Sequence, residues 1–221
     1  MDINVAAEGH VGLEAADVEA DIRAVAGYDK DVRRAFEAIG APPPRGRAPG
    51  FEALLRIMVG QQVSVAAAAS IFKRIEDASA GDVSAEAMRA LDDEALRGLG
   101  LSRQKIAYTR CLSDAVTSGA LDIEGLAALD DDAASAAITA IKGFGKWSAD
   151  IYLLFCLGRR DMWPGGDLAV RAALGLLKGH QERPDERATH EMVEHWRPAR
   201  GSMAVFLWHY YAAVGKSGQP I

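Results

Sequence analysis

The sequence predicts an all-α protein, and three observations support this fold class. Alanine, leucine and glutamate, which favour helices, are frequent along the whole chain of 221 residues. Apolar residues recur at the three- and four-residue spacing of an amphipathic helix. No segment shows the alternation of apolar and polar residues that is typical of strands. A chain of this length can bury a substantial core, in one domain or in two small helical lobes.

The predicted helices follow one another with short turns. The first, residues 17–39, has its apolar residues at helical spacing and stops at Gly40, where a proline-rich connector (residues 41–50) begins. Ser102 is the expected N-cap of a strongly amphipathic helix, and Asp167 opens another. The later predicted helices are residues 51–60, 64–75, a short one from Ser84, 92–97, 102–116, 130–141, 146–157, 167–177, 187–196 and 201–214.

Charge and apolar runs exclude several classes of protein. The formal net charge of −6 argues against a protein that coats nucleic acid indiscriminately. A local patch can still bind DNA, since residues 142–171 carry five basic and three acidic side chains. No apolar run reaches the roughly 18 residues of a membrane span. Residues 1–10 lack the basic segment of a signal peptide. We therefore expect a cytoplasmic, nucleoid-associated protein.

The two cysteines, Cys111 and Cys156, argue against a cysteine-bound cofactor. Two are too few for a four-cysteine zinc or iron–sulfur site. Cys156 lies in an apolar run, which predicts a buried free thiol. We expect no cofactor.

The turn Gly143-Phe144-Gly145, called the hairpin below, joins two predicted helices. Its glycines allow positive φ or close packing, and Phe144 can reach the core. The second helix begins with unpaired N–H groups that attract an anion such as a phosphodiester. A dinucleotide fingerprint needs a preceding strand and a third glycine, and a P-loop needs Ser or Thr where Trp147 stands, so both fail. A structural helical corner is the alternative interpretation.

Asp167 follows two glycines and precedes an apolar helix, which is the usual setting of an N-cap. The same carboxylate suits the stabilisation of an oxocarbenium-like transition state at a sugar C1′. It also suits the orientation or deprotonation of an attacking water.

Four segments resemble one family in order and spacing. They are FEALLRIMVGQQVSVAAAASIFKRI, GLGLSRQKIAYTRCLSDAV, IKGFGKWSADIYLLFCLGRRDMWPGGDLAVRAALG and WRPARGSMAVFLWHYY. The chain resembles the helix–hairpin–helix (HhH-GPD) DNA glycosylases, and most of all their monofunctional alkylpurine, or 3-methyladenine II, branch. The resemblance implies two helical lobes with DNA bound in the cleft between them. It also implies base-excision repair, in which the damaged nucleotide is flipped and its N-glycosidic bond hydrolysed.

The resemblance also implies a division of the chain and a partner. Residues 1–50 would pack with the C-terminal lobe, residues 51–135 would form the central lobe, and residues 136–221 would carry the hairpin and the catalytic aspartate. The expected partner is damaged double-stranded DNA, bound by a monomer without any membrane.

The resemblance assigns roles to individual residues. Asp167 matches the essential aspartate, and Trp147 stands where the glycosylase/lyases carry a Schiff-base lysine. Without that amine no imine forms at C1′, so a monofunctional enzyme is expected. Gln61 and Gln62, called the wedge loop below, match the loop that fills the gap left by the flipped base.

The remaining assignments concern the base and the phosphates. Electron-rich rings bind a positively charged alkylpurine through stacking and cation–π attraction. The expected base pocket consists of Trp147, Trp163, Trp208 and Tyr152. The residues expected to bind phosphate are Gly143, Gly145, Lys146 and Ser148. No side chain is expected to bind a metal, but the carbonyls of Ile141 and Gly143 can hold a monovalent cation.

Two other functions remain open. A non-catalytic helix–hairpin–helix module that binds structured DNA has the same glycine turn and does not need Asp167. A glycosylase/lyase would use Lys146 as its nucleophile. Within the glycosylase hypothesis, 3-methyladenine and 7-methylguanine are expected substrates, because an alkylated base leaves readily and no second acid is evident. Ethenoadenine and hypoxanthine, which are neutral, are expected to be poorer substrates.

Overall fold

The computed structural model describes residues 12–217, in which it has twelve α-helices, two short 3-10 helices and no strand. This confirms the all-α prediction. Residues 1–10, on which the signal-peptide argument rests, lie outside the described range. The helices are α1 Ala15–Ala26, α2 Lys30–Ile39, α3 Phe51–Gly60, α4 Val65–Ala78, α5 Ala85–Ala90, α6 Asp93–Gly98, α7 Arg103–Thr117, α8 Asp131–Thr139, α9 Lys146–Phe155, α10 Leu168–Leu177, α11 Glu186–Val193 and α12 Arg200–Ser217, with 3-10 helices Gly125–Ala128 and Glu194–Trp196.

Side-chain caps begin most of these helices. A serine or aspartate before the first turn accepts a backbone N–H bond, which satisfies one of the donors that a helix leaves unpaired. The predicted caps Ser102 and Asp167 are confirmed. The full set of capping side chains is Asp29, Ser64, Ser84, Asp92, Ser102, Asp130, Asp167 and Asp185.

The first predicted helix, residues 17–39, is wrong as a single element. The chain forms α1 and α2 instead, with a break at Gly27 and Tyr28. Asp29 has an extended backbone, and its side chain accepts hydrogen bonds from the N–H groups of Asp31 and Val32. An N-cap begins a new helix, and glycine favours the break because of its low helix propensity.

The chain divides into two compact units. The central unit, Pro49–Leu153, contains α3 to α8 and most of α9, with α3 packed against α4 and α7. The terminal unit combines the described residues up to Ala48 with those from Leu154 onward, and in it α12 packs against α1, α2 and α10. The second boundary between these units falls after Leu153, and the division of the chain after residue 135 stays a prediction.

Two further expectations can be compared with the structure. Cys156 is fully buried and free, as predicted, whereas Cys111 is half-buried. No helix in residues 12–217 combines the length and the apolar character needed to cross a membrane.

Candidate active site

Asp167 caps α10, and three donors fix its carboxylate. Oδ1 accepts hydrogen bonds from the backbone N–H groups of Ala169 and Val170, each over 2.9 Å. Trp208 Nε1 donates to the same oxygen over 3.1 Å. The residue is half-buried, so it meets solvent while its orientation is set by the helix and the indole.

The loop before Asp167 is tightly packed. A Cβ at Gly165 would lie 2.8 Å from His190 Nε2 and 3.1 Å from Trp163 Nε1, so a larger residue there would displace the His190 side chain. The backbone N–H of Asp167 donates to the carbonyl of Pro164 over 2.9 Å. These contacts pack the loop before Asp167 against Trp163 and His190.

Trp208 places an aromatic surface beside this carboxylate. Its ring centroid lies 5.5 Å from that of Phe155, with 33° between the ring planes. Trp208 is half-buried on α12, so part of the residue is open to solvent. The terminal unit therefore combines a fixed anion with two neighbouring aromatic rings.

Trp163 and Tyr152 both belong to the core, and their assignment to the base pocket stays a prediction. Trp163 is 3% exposed, and its Nε1 donates to Thr189 Oγ1 over 3.2 Å. Tyr152 is fully buried, and its hydroxyl accepts a hydrogen bond from the N–H of Gly50 over 3.0 Å. Neither ring has a face open to a base. Trp147, by contrast, is half-buried on α9.

The two glycines of the hairpin differ in what the fold demands of them. Gly143 has φ +101°, and a Cβ there would lie 2.3 Å from the ring of Tyr108. Phe144 is 4% exposed and packs in the core, as predicted. At Gly145, just before α9, a Cβ would meet no atom within 4 Å. Packing therefore requires glycine at position 143. At position 145 packing makes no such demand, and because glycine has no side chain the backbone there is open to a ligand.

The side chains that follow the hairpin have different surroundings. Lys146 is exposed, and its ammonium pairs with the carboxylate of Asp150 one turn later. Ser148 is 2% exposed, and its Oγ accepts a hydrogen bond from Gln61 Nε2 over 3.0 Å. The hydroxyl of Ser148 is thus buried inside the central unit, and the assignment of phosphate binding to this residue stays a prediction.

The two residues of the wedge loop also differ in exposure and in hydrogen bonds. Gln61 is half-buried, and its Nε2 donates to the carbonyl of Gly143 over 2.9 Å as well as to Ser148. Gln62 is exposed and has φ +56°, in the left-handed region that residues other than glycine rarely adopt. Of the two, Gln62 has the exposed side chain, whereas Gln61 is held by hydrogen bonds, and the wedge role of both stays a prediction.

Sequence reasoning missed Lys105 and Tyr108. Lys105 Nζ donates to the carbonyls of Val59 and Gln61, over 2.6 and 2.9 Å. Burial lowers the pKa of the Lys105 ammonium. Lys105 and Tyr108 are three residues apart, which places both side chains on one face of α7. That face meets the wedge loop and the hairpin, which local sequence does not reveal.

A pocket of about 510 Å³ lies within the central unit between these elements. Its lining includes Gln62, Gln104, Lys105, Tyr108 and Gly145, so it is bounded by the wedge loop, the N-terminal turns of α7 and the hairpin. The pocket thus lies where the predicted DNA-contacting residues of this unit meet.

The carbonyls expected to hold a cation both accept hydrogen bonds. That of Ile141 accepts the N–H of Phe144 over 3.0 Å, and that of Gly143 accepts Gln61 Nε2. A carbonyl oxygen has two lone pairs, so the cation stays a prediction. Within residues 12–217 no three His, Cys, Asp or Glu side chains form a group able to hold a metal ion.

Comparison with known families identifies the class of protein. A profile of the HhH-GPD superfamily of base excision DNA repair proteins matches residues 55–198. The matched region contains the wedge loop, the hairpin and Asp167. The chain belongs to the HhH-GPD superfamily. The resemblance stated from the sequence is thus confirmed.

Similar HhH-GPD proteins carry consistent names. The chain is 28% identical to DNA-3-methyladenine glycosylase 1 of Schizosaccharomyces pombe over 190 residues, which is 83% of each chain. The solved structure of 3-methyladenine DNA glycosylase (Mag1) from that organism, in complex with abasic DNA, has a TM-score of 0.82 and 28% identity, covering 89% of this chain and 97% of that one. DNA-3-methyladenine glycosidase from Bacillus halodurans has a TM-score of 0.76 and 28% identity, covering 89% and 91%.

Proposed function

We propose that this HhH-GPD protein is a monofunctional DNA glycosylase that hydrolyses the N-glycosidic bond of alkylated purines in duplex DNA. The observation that carries the proposal is the carboxylate of Asp167, fixed by two backbone N–H groups and by Trp208. The names of the relatives from Schizosaccharomyces pombe and Bacillus halodurans support the substrate class.

Asp167 supplies the chemistry at the sugar. As the base leaves, positive charge develops at C1′ and the ring oxygen, and a fixed anion stabilises it without having to reorganise. The same carboxylate orients the water that attacks C1′ and accepts its proton. Hydrogen bonds from the α10 backbone and from Trp208 hold Oδ1 in place throughout this step.

Trp208 supplies the platform for the base. Alkylation at N3 or N7 gives a purine a positive charge, which is attracted to the electron-rich face of an indole. The nearby ring of Phe155 supports Trp208. We also keep Trp147 as a proposed base contact, since it is half-buried rather than part of the core.

The lesions that we propose as substrates are those whose base leaves the sugar readily. A methylated purine departs as a neutral base and needs little help from an acid. In the described site the carboxylate of Asp167 is held by donors, which suits a base rather than an acid. We therefore propose 3-methyladenine and 7-methylguanine as substrates, with ethenoadenine and hypoxanthine released much more slowly.

The central unit provides the proposed contacts with DNA. The open backbone at Gly145 and the N-terminal turn of α9 offer N–H groups to a phosphate, and the exposed charge of Lys146 adds attraction. Gln62 fills the space of the flipped nucleotide and can hydrogen-bond the base left behind. We propose that the protein acts as a monomer on damaged chromosomal DNA in the cytoplasm.

The decisive experiment compares the wild type with Asp167→Asn. Asparagine keeps the N-cap, so the fold should be retained. With duplex DNA methylated at purines, we expect base release to fall by about 100-fold or more while DNA affinity stays within about twofold. Asp185→Asn is the matched control, because Asp185 caps α11 in the same way and is exposed.

Two alternatives predict different results. For a non-catalytic module that binds structured DNA, the wild type would bind but release no base. For a glycosylase/lyase that uses Lys146, the wild type would cleave the strand after base release. The ion pair with Asp150 holds the Lys146 side chain on the surface of α9. Neighbouring helix residues point about 100° apart, so Lys146 does not take the place of Trp147, which argues against the lyase.

A further inference from the structure

Gln62 has a conformation that its own sequence does not favour. Its φ of +56° lies in the left-handed region, although it is neither glycine nor asparagine, and the residue is exposed. A strained residue of this kind persists only where surrounding contacts determine its backbone. Contacts made by the residues that precede Gln62 help to determine this conformation.

Lys105 provides one of these contacts. Its Nζ reaches from α7 to the carbonyls of Val59 and Gln61, over 2.6 and 2.9 Å. These carbonyls lie at the C-terminal end of α3, where a helix leaves acceptors unpaired and its dipole is negative. One half-buried ammonium thus fixes the chain directly before Gln62.

The side chain of Gln61 provides the second contact. Its Nε2 donates to the carbonyl of Gly143, over 2.9 Å, and to Ser148 Oγ, over 3.0 Å. Ser148 is 2% exposed, so this anchor lies inside the central unit. Gln61 is therefore fixed at its carbonyl by Lys105 and at its amide by the hairpin and α9.

We propose that Lys105 and Gln61 are positioning residues that hold Gln62 in the conformation in which it enters DNA. The inference rests on the proposed function, which assigns to Gln62 the space of the flipped nucleotide. Without either contact the backbone at Gln62 relaxes to commoner conformations, and its side chain reaches the DNA stack less often. The flipped state of the damaged base then becomes less populated.

A double-mutant cycle tests whether Lys105 acts through Gln62. Lys105→Met keeps the aliphatic stem and removes the ammonium, whereas Lys105→Arg restores donors. We expect Lys105→Met to slow single-turnover release of 7-methylguanine by about tenfold, but by less than about twofold when Gln62→Ala is also present. Lys105→Arg should recover most of the rate. Gln61→Leu should show the same dependence on Gln62 without any change of charge.

Several controls separate positioning from other roles. Lys73→Met removes an exposed lysine of α4 and should leave the rate unchanged. Thermal unfolding of every variant shows whether the fold is kept. Equal losses from Lys105→Met with and without Gln62 would overturn the inference, because the lysine would then act by stability or by contacting phosphate.

A fluorescent reporter keeps the inference testable if the proposed function fails. A duplex with 2-aminopurine beside a stable abasic-site analogue reports unstacking when the wild type binds. We expect Lys105→Met, Gln61→Leu and Gln62→Ala to lower this signal to a similar extent, at DNA concentrations that saturate each variant. An unchanged signal in Lys105→Met and Gln61→Leu would contradict the inference. Absence of methylpurine release by the wild type would refute only the proposed function.

Discussion

Trp208 Nε1 and Asp167 Oδ1 lie 3.1 Å apart, so one hydrogen bond joins the aromatic platform to the carboxylate of the proposed site. An indole nitrogen only donates, which makes the acceptor the carboxylate. The ring that would bind the base therefore also orients the group that would act on the sugar.

The two roles of Trp208 can be separated by substitution. Trp208→Phe keeps a ring but removes the N–H, and we expect about a tenfold slower base release with nearly unchanged DNA affinity. Trp208→Ala removes both roles and should cost about tenfold more. The measurement is single-turnover release of methylpurines, and Tyr211→Phe, a change at an exposed ring on α12, is the control. A wild-type rate in Trp208→Phe would show that the bond has no catalytic effect.

The hairpin glycines predict opposite phenotypes. Gly143→Ala forces a side chain onto φ +101° and into the ring of Tyr108, so we expect a loss of about 3 kcal/mol in the free energy of unfolding. Gly145→Ala meets open space and should change stability by less than about 1 kcal/mol. Its Cβ should instead lower DNA affinity by about tenfold, because it blocks a phosphate from the backbone.

Thermal unfolding and fluorescence anisotropy with duplex DNA measure these two effects. Gly98→Ala is the control, because a Cβ there meets nothing within 4 Å and the residue lies away from the hairpin in sequence. Equal DNA affinity for Gly145→Ala and the wild type would remove the hairpin from the proposed DNA contact.

The helices and their caps were predicted well because they depend on residues that are close together in the sequence. The helices and the caps Ser102 and Asp167 depend on spacing and on side chains within a few residues. The missed break between α1 and α2 was also local, since Gly27 and Asp29 mark it in the sequence.

The surroundings of the site residues arise from tertiary contacts. Trp163 and Trp208 are both candidates for base binding in the sequence, and only packing shows that the first is buried and the second half-buried. Gln61 and Gln62 are identical neighbours, and their roles differ because Gly143 and Ser148 accept hydrogen bonds from only one of them. No spacing rule encodes those partners.

The position of Lys146, one residue before Trp147 and paired with Asp150, predicts the absence of lyase chemistry. Borohydride traps an imine between an amine and an abasic site, and we expect no covalent adduct of this chain with abasic DNA. A glycosylase/lyase of the same superfamily is the positive control. Lys146→Met should keep the rate of base release within about threefold of the wild-type rate. It should reduce the slope of log DNA affinity against log salt by about the amount expected for one phosphate contact. A trapped adduct that disappears in Lys146→Met would contradict the monofunctional proposal.

Asp29 predicts how stability depends on pH. Burial alone would raise the pKa of this carboxyl, but hydrogen bonds from Lys178, Trp196 and His195 outweigh it and hold the pKa well below its usual range. A lowered pKa in the folded state means that the unfolded chain binds the proton more readily. The stabilisation is therefore complete above the unfolded pKa of about 3.9 and is lost as pH falls below it.

We expect the free energy of unfolding of the wild type to fall progressively below about pH 5, down through the lowered folded-state pKa of Asp29, and Asp29→Asn to flatten this dependence. Asparagine keeps the N-cap of α2 but leaves the ammonium of Lys178 without its full partner. We therefore expect Asp29→Asn to be less stable at neutral pH by about 3 kcal/mol. Asp77→Asn, at an exposed ion pair on α4, should stay within about 0.5 kcal/mol. Denaturant unfolding at several pH values measures both effects, and equal slopes for Asp29→Asn and the wild type would show that another group causes the acid sensitivity.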